Sequence, residues 1–132
     1  NAAITGATVQ KMLNDGQEVI VGFKRDPQFG PLILVGSGGV EVELLRDAAT
    51  GIAPLTRSQA KGLLDSTFAG KRLKGWRALP PADRAAVVDV MLRMAQIALD
   101  TPEIAELEIN PLYVFPAGEG AVAVDVRGAL NK

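Results

Sequence analysis

Residues 18–35 read EVIVGFKRDPQFGPLILV, and this stretch decides the fold class. Two runs rich in β-branched and large apolar residues, 18–24 and 32–35, lie on either side of the sequence Asp26-Pro27-Gln28-Phe29-Gly30-Pro31. β-Branched residues favour strands, whereas Gly, Pro and Asp favour turns. The stretch therefore predicts two strands joined by a turn.

The sequence on both sides extends this pattern. Upstream, residues 8–13 alternate between polar and apolar and meet Asn14-Asp15-Gly16, which predicts a hairpin partner for the run at 18–24. Downstream, residues 40–45 alternate again after Gly36-Ser37-Gly38-Gly39, with Glu43 on the polar face. Four strands in succession predict a mostly antiparallel sheet.

Two helices are expected next. Thr56-Arg57-Ser58-Gln59 has the form of a capping box and predicts a short helix to about Asp65. Pro80-Pro81 is predicted to open a longer helix that ends at Thr101-Pro102. Its apolar stripe would comprise Val87, Val88, Met91, Leu92, Ala95 and Leu99.

Three further β segments complete the chain, at residues 104–110, 112–115 and 121–126, with a turn at 116–120. Strands, then helices, then strands predict an α+β fold in which helices cover one face of the sheet. Residues 1–132 form one such unit. Because the chain starts Asn1-Ala2-Ala3 without Met, we expect it to be a fragment of a larger protein.

The composition excludes several classes of function. With 48% hydrophobic and 22% charged residues the chain is globular. A net charge of −1 and the lack of a long apolar run predict no nucleic-acid or membrane partner. Without Cys or His there is no thiol nucleophile, no Ser-His triad and no phosphohistidine on this chain. The absence of Cys is compatible with the cytoplasmic location that we expect.

Oxygen-bearing side chains cluster near the C-terminus, in Glu106-Leu107-Glu108-Ile109-Asn110 and at Asp125. A turn between them would place Asn110 and Asp125 on adjacent antiparallel strands, where they are able to share a magnesium ion. In the alternative interpretation the glutamates form a solvent face, Asn110 opens a turn and Asp125 caps a segment. The spacing alone leaves both interpretations open.

Two other features also have two interpretations. Gly36-Ser37-Gly38-Gly39 allows close approach of its backbone to phosphates, or it forms a tight turn. Residues 57–77 contain six basic residues and one acid, a net charge of +5. This segment either contacts phosphates or is a solvated basic face.

Five stretches together carry a family resemblance: residues 9–12, 18–31, 36–39, 52–56 and 106–112. In order and spacing they resemble the ATP-grasp domain of NDP-forming acyl-CoA synthetases. This family includes ADP-forming acetyl-CoA synthetase and is similar to the β subunit of succinyl-CoA synthetase. It also occurs fused to acetyltransferase domains in protein-lysine acetyltransferases. The resemblance implies the C-terminal lobe of an ATP-grasp domain, with ATP or ADP and magnesium as ligands.

The resemblance also assigns roles to individual residues. Gln10, Lys11 and Met12 match the stretch that passes the adenine edge, and Glu18 matches an acidic position near the nucleotide. Asn110 and Asp125 match the magnesium-binding pair. The remaining predicted nucleotide-binding residues are Gly36, Gly38 and Gly39 near the phosphates, and Arg127, which is either a phosphate contact or a surface residue.

The implied reaction converts acyl-CoA, ADP and phosphate to acid, CoA and ATP. This lobe would transfer phosphoryl groups between the nucleotide and a phosphohistidine on a separate domain. Its expected partners are the preceding ATP-grasp lobe and CoA-binding and CoA-ligase domains; the isolated fragment would be inactive. Gly51 replaces an arginine common in the family, and Ala78 follows Arg77 where glycine is common. These departures keep open an alternative, a degenerate regulatory domain of a protein-lysine acetyltransferase.

Overall fold

The computed structural model describes residues 2–39 and 46–132. Within them an antiparallel sheet has the strand order β3-β2-β1-β4-β5, and β6 also pairs with β4. The strands are β1 Gln17–Asp26, β2 Gly30–Ser37, β3 Ala48–Ile52, β4 Ile104–Val114, β5 Ala121–Ala123 and β6 Val126–Leu130. The helices are α1 Arg57–Ser66, α2 Phe68–Arg72 and α3 Arg84–Asp100. No helix in these ranges is both long enough and apolar enough to cross a membrane.

Successive side chains of β1 point to opposite faces of the sheet. Val19, Val21 and Phe23 are buried against the helices, whereas Glu18 and Lys24 on the opposite face are exposed. Buried residues from all three helices join this one core. The predicted α+β fold, with helices on one face of an antiparallel sheet, is confirmed. On the other face, Gly22 and Leu34 line a depression.

Two of the predicted helix boundaries are confirmed. At the start of α1 the Thr56 hydroxyl accepts the N–H of Gln59, and the Gln59 side chain accepts the N–H of Thr56. At the end of α3, Thr101 is the C-terminal cap, as its sequence predicts. Arg25 of β1 donates to the carbonyls of Thr101 at 2.8 Å and Ile104 at 2.7 Å. It thereby binds the end of this helix to the sheet.

The start of α3 was predicted wrongly at Pro80-Pro81. The helix begins at Arg84, and the carboxylate of Asp83 caps it by accepting the N–H of Ala86. The Pro81 carbonyl instead accepts the N–H of Ala117, so the prolines belong to an extended connection beside the β4–β5 turn. The predicted stripe also needs one correction, because Leu99 is 44% exposed while Met94 and Ala98 are buried.

The predicted strand at residues 8–13 is wrong. This segment is irregular and almost entirely exposed. The reason is tertiary: β1 pairs with β2 along one edge and with β4 along the other, so no edge of β1 is free for a hairpin partner. The predicted strand at 40–45, with Glu43, lies outside the described residues.

The C-terminal strands differ from the predicted segments. The runs at 104–110 and 112–115 form one strand, β4, with an irregularity opposite Ile20. The run at 121–126 divides into β5 and β6 on either side of Val124 and Asp125. The short elements β3 and α2 were not predicted, since five residues carry too little periodicity to distinguish them.

Candidate functional site

Asn110 lies at a bulge in β4. Val19 pairs with Leu112 and Val21 with Ile109, so two residues of β4, Asn110 and Pro111, lie opposite one residue of β1. Such a bulge redirects a side chain relative to the regular strand. The Asn110 Oδ1 accepts the backbone N–H of Gly39 at 2.9 Å, which joins the centre of the sheet to the end of β2.

The backbone of the glycine segment lies so close to its neighbours that two of its positions favour glycine. A Cβ on Gly38 would lie 2.6–2.8 Å from backbone atoms of Val19. Gly39 has φ +67°, and a Cβ there would lie 2.1 Å from the Glu18 Oε2. Because the Glu18 carboxylate and Asn110 both approach Gly39, these three residues form one cluster.

Gly36 has a different place from the one predicted. Gly36 and Ser37 belong to β2 itself, and only Gly38 and Gly39 follow the strand. A Cβ on Gly36 would lie 1.9 Å from the Asp47 carbonyl oxygen, so Gly36 permits the close approach of the chain entering β3. Gly36 therefore serves the packing of β2 against the chain that enters β3. The predicted contact of Gly36 with phosphate remains a prediction.

Asp125 lies next to Asn110, as their spacing predicts. The N–H of Asn110 donates to the Asp125 carbonyl at 2.9 Å. The Asp125 Oδ2 pairs with the Arg127 Nε at 3.2 Å, and the Arg127 side chain is 83% exposed. Arg127 pairs in register with Glu108, which pairs with Gly22 of β1 on the face away from the helices. Arg127 therefore lies on the open face of the sheet.

The structure brings Glu18, Gly39 and Asn110 together and places Asp125 and Arg127 beside them. It does not bring Gln10, Lys11 and Met12 to this cluster. Those three residues lie in the exposed segment before β1, and Met12 is 79% exposed. Within residues 2–39 and 46–132, no hydrogen bond joins them to the cluster. Their predicted contact with adenine is therefore untested by the fold of this lobe.

The side-chain oxygens of Asp125 and Asn110 suit a magnesium ion that also binds phosphate and water better than they suit a metal ion bound by protein ligands alone. Asp125 offers a carboxylate and Asn110 a carboxamide oxygen, and Mg²⁺ commonly uses one or two such protein ligands together with phosphates and water. Among the described residues, no group of three Asp, Glu, His or Cys side chains is placed to hold a metal ion. The chemistry of the pair therefore fits a metal that arrives with a nucleotide.

Arg72 is one of the six basic residues of the segment 57–77, and the structure gives it a specific contact. Its Nη2 donates to the Glu18 carbonyl at 2.8 Å, and Arg72, Glu18 and Gly38 line one depression of about 350 Å³. The net positive charge of residues 57–77 was the sequence signal for a contact from this segment. Which of its cations contacts Glu18 is determined by the fold.

Asp47 orients the helix that carries Arg72. Burial alone would raise its pKa, but the N–H groups of Phe68 and Ala69 and the hydroxyl of Ser37 donate to it and hold the pKa below its usual value. Charge-assisted bonds of this kind favour the ionised carboxylate. Asp47 thus joins the end of β2 to the start of α2.

A second depression occupies the open face of the sheet. It measures about 440 Å³ and is lined by residues that include Gly22, Leu34, Glu108 and Arg127. A Cβ on Gly22 would lie 2.7 Å from the Leu107 carbonyl oxygen, so this strand passes very close to β4. The open face therefore presents a partly apolar surface beside the Asp125–Arg127 ion pair.

Comparison with known proteins gives a consistent result. The ATP-grasp domain family matches residues 1–130. Acetate–CoA ligase [ADP-forming] I of Archaeoglobus fulgidus is 47% identical over 131 residues, which are 99% of this chain and 19% of that protein. The β subunit of acetate–CoA ligase [ADP-forming] I of Pyrococcus furiosus is 39% identical over 127 residues, 96% of this chain and 54% of that subunit.

A solved structure shows the same likeness. Dinucleotide-forming acetyl-coenzyme A synthetase 1 of Ca. Korarchaeum cryptofilum was solved in complex with coenzyme A and Mg-AMPPCP, its phosphohistidine segment pointing towards the nucleotide binding site. It matches with a TM-score of 0.83 and 40% identity, over 88% of this chain and 54% of that chain. The present chain thus spans about half the length of the matching β subunit and about a fifth of the longer ligase.

Proposed function

Since this chain belongs to the ATP-grasp family, we propose that it is the nucleotide- and magnesium-binding lobe of an ADP-forming acyl-CoA synthetase. The observation that carries the proposal is the cluster of Glu18, Gly39 and Asn110 beside Asp125. Acetate–CoA ligases among its relatives support acetyl-CoA as the acyl-CoA. They also favour a synthetase over the regulatory alternative in a protein-lysine acetyltransferase.

The reaction step assigned to this lobe is phosphoryl transfer. A β-phosphate oxygen of ADP forms a bond to phosphorus as the N–P bond of a phosphohistidine breaks, and the imidazole nitrogen keeps the electron pair. Because this chain contains no His, the phosphohistidine belongs to a separate domain. The remaining parts of the protein, which are the preceding ATP-grasp lobe and the CoA-binding and CoA-ligase domains, would supply it and bind acyl-CoA.

The residues of this lobe bind and orient the nucleotide. The Gly39 N–H is already donated to Asn110, so Gly39 contributes close approach of the backbone rather than a free donor. Arg127 and Arg72 place positive charge beside the negative phosphates, which stabilises charge in phosphoryl transfer. Gln10, Lys11 and Met12 are assigned to the adenine edge by the family resemblance.

Asn110 and Asp125 would hold the magnesium ion. When bound, Mg²⁺ offsets charge on the phosphate oxygens. The carboxylate of Asp125 is half-exposed, so it can change partner from Arg127 to a metal without leaving an unpaired buried charge. This exposure makes Asp125 a suitable test residue.

The experiment is Asp125→Asn in the full-length protein that contains this chain. Magnesium-dependent phosphoryl transfer should fall at least about tenfold, a loss of about 1.4 kcal/mol, while the unfolding free energy changes by less than about 1 kcal/mol because only an exposed ion pair is lost. Asp100→Asn, the same change on an exposed carboxylate of α3, is the control. If Asp125→Asn unfolds the protein and Asn110→Ala leaves activity intact, Asp125 is a structural residue and the metal assignment is wrong.

A further inference from the structure

Arg127 has two carboxylates within reach on the open face of the sheet. Its Nε contacts the Asp125 Oδ2 at 3.2 Å. Glu108 of the neighbouring strand β4 is its partner in register. The Cβ atoms of directly paired residues in an antiparallel sheet lie about 4.5–5.5 Å apart, so the long Arg127 side chain is able to contact Glu108 instead of Asp125. Two carboxylates therefore compete for one guanidinium group.

The surroundings of Arg127 leave room for this exchange. The Arg127 side chain is largely exposed and that of Asp125 is half-exposed. Glu108 is exposed and, within residues 2–39 and 46–132, forms no ion pair. Gly22 pairs with Glu108 on β1 and has no side chain, and all three of Gly22, Glu108 and Arg127 line the depression of about 440 Å³. Because an exposed ion pair contributes little to stability, moving the guanidinium from one carboxylate to the other costs little.

Asp125 is also the carboxylate that the proposed function assigns to magnesium. In the lobe without nucleotide, Asp125 has to give up Arg127 before it binds a metal ion, and the guanidinium beside it then repels the second cation. A nucleotide reverses this effect, since Arg127 forms charge-assisted hydrogen bonds with phosphate oxygens. Arg127 therefore opposes a metal ion that arrives alone and favours one that arrives with a nucleotide.

We propose that Arg127 couples magnesium binding to nucleotide binding, and that Glu108 is a positioning residue that accepts Arg127 when Asp125 binds the metal. This inference rests on the proposed function, in which Asn110 and Asp125 hold the magnesium ion. Without nucleotide, Arg127 pairs with Asp125. With the nucleotide, the guanidinium lies between Glu108 and the phosphates, and the Asp125 carboxylate is free to be a ligand. Such a coupling is reciprocal, so each ligand raises the affinity for the other by the same factor.

The first measurement is the affinity of the full-length protein for Mn²⁺ without nucleotide, from the EPR signal of the free ion. Mn²⁺ prefers the same oxygen ligands as Mg²⁺. The site at Asp125 is the one that Asp125→Asn removes. Arg127→Met should lower the Kd of this site about two- to fivefold, because binding no longer breaks an exposed ion pair. Lys24→Met, which removes a cation from the same face opposite Glu106, should change the Kd by less than about 1.5-fold because solvent and salt screen it.

The second measurement is the Kd for ATP with magnesium, from calorimetric titration of the same proteins. Arg127→Met should raise this Kd at least about threefold, since a hydrogen bond to a charged phosphate is lost. A variant with a general structural defect would bind both ligands more weakly. Opposite changes in the two affinities are therefore specific to a coupling role of Arg127.

Glu108→Gln tests the second partner, and Glu106→Gln is its matched control. Both glutamates are exposed and lie on the same strand and face, but Glu106 pairs with Lys24 and Ala129. Glu108→Gln should weaken Mn²⁺ binding about two- to fivefold more than Glu106→Gln, because Arg127 then stays with Asp125. In the Arg127→Met background the two substitutions should have equal effects, since a double-mutant cycle isolates the part that depends on Arg127.

An unchanged or weaker Mn²⁺ affinity of Arg127→Met would overturn the coupling role of Arg127. A Tm lowered by more than about 4 °C in this variant would do the same, because the Asp125–Arg127 pair would then be structural. If Glu108→Gln and Glu106→Gln still differ without Arg127, Glu108 is not its partner. Mn²⁺ binding that Asp125→Asn leaves intact would instead overturn the metal assignment in the proposed function.

Discussion

Replacing Gly39 with alanine tests the geometry of the candidate site. Gly39 has φ +67°, so an L residue there costs about 1–2 kcal/mol of stability. The added methyl group would also lie 2.1 Å from the Glu18 Oε2, which is the end of an exposed, flexible side chain. We expect the Glu18 carboxylate to rotate away, so the collision changes the site more than it changes the stability.

The matched control is Gly30→Ala. Gly30 has φ +79°, but a Cβ there meets no atom within 4 Å. The left-handed backbone conformation should therefore cost each variant about 1–2 kcal/mol of unfolding free energy in denaturant titrations. Only Gly39→Ala displaces Glu18 and strains the Gly39–Asn110 hydrogen bond, which has a net value of about 0.5–1.5 kcal/mol.

The assay is calorimetric titration of ATP with magnesium into the full-length protein. Loss of one interaction of this size predicts a Kd raised about two- to thirteenfold for Gly39→Ala, against no change for Gly30→Ala. If the two variants bind ATP equally, then the cluster of Glu18, Gly39 and Asn110 is not part of the nucleotide site. If Gly39→Ala instead loses more than about 3 kcal/mol of stability, Glu18 is structurally fixed and the reasoning on its flexibility is wrong.

Two further predictions concern this lobe by itself. The isolated chain should bind ATP only weakly, because half of a nucleotide cleft leaves the phosphates in water, where each contact is screened; a sub-micromolar Kd would contradict this. Asp47→Asn should destabilise the chain by about 1 kcal/mol at pH 7, after allowance for its partial exposure. Because the folded pKa of Asp47 is lowered, its stabilisation is present above the unfolded pKa and is lost as the pH falls through the folded one. Urea unfolding of the wild-type and Asp47→Asn chains should show a smaller difference in unfolding free energy at pH 2 than at pH 7. If the difference is the same at both pH values, the ionised Asp47 carboxylate does not stabilise the fold.

Local sequence chemistry was enough for several features. The capping box at Thr56 and the stop at Thr101-Pro102 depend only on neighbouring residues, and both were predicted correctly. The β-rich run at residues 18–24 likewise predicted the strand β1, whose residues 19–23 are all buried. The spacing of Asn110 and Asp125 predicted their adjacency, because a turn between two strands of matched length brings their far ends together.

Other features were decided only by the tertiary structure. Residues 8–13 have the alternation of a strand, yet both edges of β1 are taken by β2 and β4, which lies more than 75 residues further along the chain. Pro80-Pro81 has the form of a helix start, but the turn after β4 binds the Pro81 carbonyl and moves the cap to Asp83. The separate contacts of Gly39 with Glu18 and with Asn110 also join distant segments. Several segments are able to pair with the same strand edge or to bond the same donor. Which of them does so is decided only when the chain folds and brings distant segments together.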